Sequence, residues 1–117
     1  MTTFRAVNVR DETDGPRGRR VLVDRLWPRG VSRERADLDD RRPDLAPSRQ
    51  LRQWFGHDPQ RFDEFRRRYR DELVRGGVAR QFLAECADDD LVVLVHGAAD
   101  RDHNNAVVLA ELLTEWS

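Results

Sequence analysis

The chain has 117 residues, 38% hydrophobic and 37% charged, with a formal net charge of −1. That length fits one domain around one core, though the charged fraction lies well above the usual roughly 25%. A near-neutral balance argues against nonspecific nucleic-acid binding, which needs concentrated positive charge. All 21 basic residues are arginine, which excludes a Schiff-base lysine or a lysine general base.

Each cation is therefore a planar fork suited to carboxylate or phosphate, and none of them titrates. No apolar run reaches the roughly 18 residues of a membrane span, and no N-terminal stretch reads as a signal peptide. The expectation is a soluble cytoplasmic protein without a membrane partner. Cys86, the single cysteine, has no partner for an internal disulfide, in keeping with a reducing compartment.

In chain order, Phe4 to Val9 mixes two apolar phases (Phe4 and Ala6, then Val7 and Val9) and predicts a short strand. Asp11 to Gly18 reads as a turn. Arg19 to Val23 enters a second strand, its apolar run Val21-Leu22-Val23 suggesting burial on both faces. The segment Asp24-Arg25-Leu26-Trp27-Pro28-Arg29-Gly30 follows as a charged loop. Ser32 caps a short helix through Ala36, and Leu38 to Pro47 supports at most a short edge strand.

Ser48 caps a helix with Leu51, Trp54 and Phe55 on one face, ended by Gly56. Asp58-Pro59 restarts the chain as cap plus first-turn proline. Phe62, Phe65, Tyr69 and Leu73 then define a helix over 59–75, with a solvated arginine-rich face neutralised by its own acids. Gly76-Gly77 breaks it before a helix carrying Val78, Phe82, Leu83 and an inert, buried Cys86. Leu91 to Val95 is a continuous apolar strand. A polar loop to His103 leads into a last helix with Ala106, Leu109, Leu113 and Trp116 inward. Buried strands separated by helices imply an α/β fold: a single compact three-layer domain over residues 1–117, with a small, largely parallel central sheet flanked by helices.

Three polar clusters are candidates for chemistry. Asp24, Arg25, Trp27 and Arg29 sit where a buried strand ends, the usual place for a ligand in an open α/β sheet. There arginines can hold an anion bidentately while Trp27 stacks; the bland alternative is ion pairing and core packing. The turn after Val95 brings His96, Asp100, Asp102, His103, Asn104 and Asn105 to a helix start. Its functional reading makes His103 with Asp100 an acid/base pair, and its bland one makes Asp100 or Asp102 the N-cap. The corner Gly56-His57-Asp58-Pro59 is a third candidate, or else His57 merely bonds a helix carbonyl. The three histidines lack the spacing of a helical metal site, so no metal is expected. Neither a glycine-rich phosphate loop nor a Gly-x-Ser-x-Gly elbow is present, and the cofactor is left open.

The blocks VLVDRLWPRGVSRERADLD, DLAPSRQLRQWFGHDPQRFDEFRRRYRDEL and AADRDHNNAVVL, taken together, resemble the YeaO-like branch of the domain-of-unknown-function 488 family, over roughly Val21 to Leu113. The resemblance implies a compact α/β domain in the bacterial cytoplasm but supplies no activity. Some members carry a MarR-type regulator label, which this chain supports little, since a winged helix-turn-helix needs two helices followed by a basic hairpin. Residues matching the family pattern include Asp24, Arg25, Trp27, Arg29, His57, Asp100, His103 and Asn104, which suggests that the three clusters meet in one cleft. The sequence departs from the pattern at Arg41, where relatives often have tryptophan, and at His96-Gly97, where Tyr-Ala is common.

The first expectation is thus a site for a small anionic ligand bearing phosphate or carboxylate. Asp24, Arg25, Trp27, Arg29, His57 and Asn104 would bind it, and His103 and Asp100 would serve any catalysis. Two alternatives stand beside it: a nucleic-acid or regulatory module using the arginine run from Arg17 to Arg35, and a structural or partner-binding domain. Oligomeric state is not legible.

Overall fold

A computed structural model describes residues 1–12 and 15–117. Residues 13–14, inside the turn expected over Asp11 to Gly18, lie outside the described part. Four strands form one parallel sheet in the order β1-β4-β2-β3: β1 Thr3–Asn8, β2 Arg19–Leu22, β3 Asp40–Arg41 and β4 Leu91–His96. β4 lies between β1, with Thr3 opposite Leu91 and Asn8 opposite His96, and β2, with Arg19 opposite Val92 and Leu22 opposite Val95. That central position is why Leu91 to Val95 and Val21 to Val23 read as unbroken apolar runs. Strands covered on both faces have no polar phase.

The two phases of β1 serve the two faces of the sheet. Phe4 joins Val21, Val23, Val92 and Leu94 in the larger core cluster, with Ala6 packed against it. Val9 joins Leu22, Val93 and Val95 in the smaller one, with Val7 against it. Helices α2 (Arg49–Phe55), α3 (Phe62–Gly76), α4 (Val78–Glu85) and α5 (Asn105–Trp116) cover the first face. Among the described residues the second receives the single-turn α1 (Arg33–Ala36) and the loops around it, through Val31, Ala36, Trp27 and Leu38. The layers of this α/β fold are therefore unequal.

Local chemistry explains the boundaries. Ser32 and Ser48 cap α1 and α2 by accepting from the Arg35 and Leu51 N–H groups. Asp58 accepts from the Gln60 N–H, so the helix expected from 59 begins as a 3-10 turn, Pro59–Arg61, before α3. Gly56 and Gly77 end α2 and α3 in the left-handed region, where φ is +54° and +76°. The arginine face of α3 is neutralised within the helix by Arg67–Glu64, Arg68–Glu64 and Arg75–Asp71 pairs. Two further pairs, Arg66–Glu111 and Arg70–Glu115, tie it to α5. Cys86 is fully buried, and burial pushes its thiol up to about 11, so it is an inert packing group. Among the described residues no helix is long and apolar enough to cross a membrane.

All four strands point the same way, so their C-terminal ends share one edge. There the chain leaves β2 away from β1, through α1 into β3, while α5 returns from β4 to pack on β1. Neighbouring strands β4 and β2 thus send their connections in opposite directions. This is the topological switch point at which open α/β sheets form ligand crevices.

Candidate functional site

The loop after β2 is anchored at its root. The Val23 N–H still donates to the Val95 carbonyl at 3.0 Å, and the Asp24 carboxylate accepts the Gly97 N–H at 2.8 Å. Asn105 donates to the Val23 carbonyl at 3.1 Å, so the start of α5 holds the same strand end. A guanidinium fastens the loop's far end: Arg10 donates to the Gly97 carbonyl at 3.2 Å and to the Arg29 carbonyl at 2.8 Å. Between these anchors the Trp27 indole donates to the Val31 carbonyl at 2.6 Å, and the Arg41 guanidinium lies 5.5 Å from the centre of its ring. Gly97 lets the loop sit this close, because a Cβ there would stand 3.1 Å and 3.2 Å from the Pro28 ring carbons Cβ and Cγ.

This loop forms one wall of a cleft of about 530 Å³ at the switch point. The opposite wall is the end of α2 with His57, the turn after β4 supplies Gly97, Ala98, Asn104 and Asn105, and Phe55 and Phe65, stacked at 4.3 Å, contribute apolar floor. Asp24, Arg25, Trp27, Arg29, His57 and Asn104 all line this one cavity. Arg10 and Arg52 line it too, and were not singled out from the sequence.

Outside the cleft the arginines are of two kinds: among the described residues Arg5, Arg20, Arg33, Arg35, Arg41, Arg49 and Arg80 have no carboxylate at salt-bridge distance. Arginines 17, 19, 42, 66, 67, 70 and 101 all have a carboxylate at salt-bridge distance. Among the described residues Arg25, Arg29 and Arg52 have none, and Arg10 is bonded only to carbonyl oxygens. The Arg52 Nε is buried without a hydrogen-bond partner. Among the described residues the lining holds one carboxylate, Asp24, which is not paired with Arg25. Burial raises the Asp24 pKa, opposed by the Gly97 N–H, by Asn105 and then by the charges of His57 and Arg52. His57 sits in the corner after α2 with φ +57°, its ring centre 6.2 Å from that of Phe55. Among the described residues the ring has no hydrogen-bond partner, so the helix-carbonyl bond that would make it purely structural is not made.

The other histidines are placed differently. His103 Nδ1 and Asp100 Oδ2 lie 2.9 Å apart, but neither residue lines the cleft, and the His103 ring meets Phe62 edge-on at 5.0 Å. Asp100 accepts the Asp102 and His103 N–H groups at 2.9 and 3.1 Å, the first being the chief cause of its lowered pKa. The cap of α5 is Asn104, not Asp100 or Asp102. Its side chain accepts the Val107 N–H at 3.1 Å and donates to the Asp100 carbonyl, because the turn before it is already closed on Asp100. His96 is buried at the end of β4, where its Nδ1 accepts the Ala98 N–H. Among the described residues no group of three or more His, Cys, Asp or Glu side chains is arranged to hold a metal ion.

A signal for Arg10 was available: it follows the C-terminal end of β1, the same position that singled out Asp24 to Arg29 after β2. Arg52 is harder to find. It flanks Leu51 and Phe55 on α2 and gains its meaning only from the fold.

Over residues 3–116 the chain matches the family described as the inactive DUF488-N3 subclade. It is similar to the uncharacterised protein Rv3073c of Mycobacterium tuberculosis, 38% identical over 112 residues, which cover 96% of this chain and 94% of the relative. It is also similar to the uncharacterised protein YeaO of Escherichia coli, 34% identical over 105 residues, 90% of this chain and 91% of the relative. No solved structure matches the chain.

Proposed function

The chain belongs to this inactive DUF488-N3 subclade, and for it we propose binding of a small anionic ligand, bearing phosphate or carboxylate, in the cleft between β2 and β4. The observation that carries this reading is the gathering of Arg10, Arg25, Arg29 and Arg52 around one cavity, with no carboxylate at salt-bridge distance from any of them among the described residues. Guanidinium groups gathered around one cleft raise the local potential, and an anion accepting from several of them makes charge-assisted hydrogen bonds.

Binding without turnover is favoured over catalysis. The word "inactive" in the family description agrees with this. So does the lining, which among the described residues offers no hydroxyl or thiol nucleophile. His103 and Asp100 stand outside it, so their pairing serves the entry to α5 in this reading.

The test is a thermal-shift series with inorganic phosphate, pyrophosphate and citrate against chloride at matched ionic strength. The wild type gains stability with at least one anion. Arg29→Ala weakens its binding about tenfold or more, the worth of one charge-assisted hydrogen bond. Arg52→Met raises the ligand-free stability by about 0.5–2 kcal/mol, since it removes a guanidinium whose Nε is buried without a partner among the described residues. If no anion stabilises the wild type beyond chloride, the reading is wrong.

A further inference from the structure

The cleft has two parts of different character. Arg10, Arg25 and Arg29 are exposed and form its rim, with their charge facing solvent. Asp24 and Arg52 lie deeper and are only half-exposed. No nitrogen of Arg52 comes within 4.0 Å of an Asp24 oxygen, although both groups line the same cavity. An acceptor and a donor thus line one cavity without pairing with each other.

Resting on the anion-binding reading above, we propose that the ligand is a phosphorylated polyol or sugar, its phosphate on the rim arginines and a hydroxyl group between Asp24 and Arg52. A carboxylate only accepts and a guanidinium only donates, so the group that satisfies both must do each at once, and a hydroxyl is the smallest that does. Asp24 still has capacity beyond the Gly97 N–H, because an ionised carboxylate offers about four acceptor positions.

Competing groups fit less well. An ammonium would suit Asp24, but it would be repelled by Arg10, Arg25, Arg29 and Arg52 together. A second anionic group would face Asp24 at close range. A purely apolar group would leave the spare acceptor positions of Asp24 unused and displace water from them. At about 530 Å³ the cleft also lies within the roughly 300–1,000 Å³ of small-molecule sites and has room for more than an inorganic phosphate.

The experiment compares three esters that share a phosphate and differ at the other end, by calorimetric titration with inorganic phosphate alongside. Glycerol 3-phosphate is expected to bind about tenfold tighter than ethyl phosphate, the value of one hydrogen bond to a charged group. Phosphoethanolamine is expected to gain nothing over ethyl phosphate. Asp24→Asn, which retains an oxygen for the Gly97 N–H, and Arg52→Gln should each shrink the glycerol-to-ethyl ratio toward one while ethyl phosphate still binds the rim. The two variants act independently, so a folding defect in one, seen by circular dichroism, leaves the other to decide. Equal binding of glycerol and ethyl phosphates by the wild type, or tightest binding of phosphoethanolamine, overturns the proposal and leaves the anion site standing. If neither inorganic phosphate nor any ester binds, the anion-binding reading itself falls and takes this one with it.

Discussion

The imidazole of His96 is 1% exposed, and its Nδ1 accepts the Ala98 N–H at 3.2 Å, a role open only to the neutral ring. Burial, and behind it the charge of Arg101, pulls its pKa down from 6.5 to about 4, against a smaller pull upward from Asp11. A group that protonates less readily folded than unfolded contributes stability fully above its ordinary pKa and loses it as pH falls through the folded value. Between pH 6.5 and 4 the protein should therefore lose up to about 3 kcal/mol through this residue. His96→Asn keeps a side-chain acceptor for the turn but has nothing to titrate. Urea melts at pH 7 and pH 4.5 should show a smaller acid loss in the variant, and an equal loss in both proteins would refute the assignment. His57, whose ring is free, and His103, held by Asp100 and Phe62, are put to different uses by their surroundings, which residue type alone does not reveal.

At the scale of elements, most of the fold was written in periodicity and caps. Phe62, Phe65, Tyr69 and Leu73 face the core from α3, and Ser32, Ser48 and Gly56 end their helices as their chemistry requires. The cap of α5 was not legible, because Asp100, Asp102 and Asn104 all suit such a position. The choice fell to the Asp100 turn, which closes before the helix starts. Nor could spacing show that Asp24 would meet Gly97 rather than Arg25, since that contact depends on β2 and β4 being neighbours. The contact makes a prediction about the loop as a unit. Gly97→Val would drive side-chain carbons into Pro28, so the loop from Asp24 to Gly30 must lift from the turn after β4. Overpacking of this kind costs about 1–3 kcal/mol, and Trp27 should become more exposed as the loop moves. Tryptophan fluorescence with acrylamide quenching reads this directly; an unchanged quenching profile together with unchanged stability would show that the loop does not rest on Gly97.

For the whole molecule, the parallel sheet sends every strand's C-terminal end to one edge, and that single fact brings Arg10, Asp24 to Arg29 and the turn from Gly97 to Asn105 together. The same folding disperses the arginine run that suggested a nucleic-acid surface. Arg17 pairs with Asp37 and Asp39, and Arg19 with Asp40 and Asp89. Arg20 is buried, donating to the Ala36 and Asp37 carbonyls, and Arg35 donates to the Arg10 carbonyl. Arg25 and Arg29 face a cleft about 530 Å³ in volume, suited to a small ligand and too confined for a phosphate backbone running across a surface. Duplex binding draws on many phosphate contacts, each releasing counterions, so its affinity falls steeply with salt. A near-neutral chain whose arginine run is tied down at Arg17, Arg19, Arg20 and Arg35 should show no measurable binding to duplex DNA at about 50 mM salt. Under the same conditions it should still respond to a small phosphate ester. A fluorescence-anisotropy titration at about 50 and 200 mM salt separates the two cases. Measurable duplex binding that collapses between those concentrations would mean that the unpaired arginines act as a surface, and the cleft would lose its claim to them.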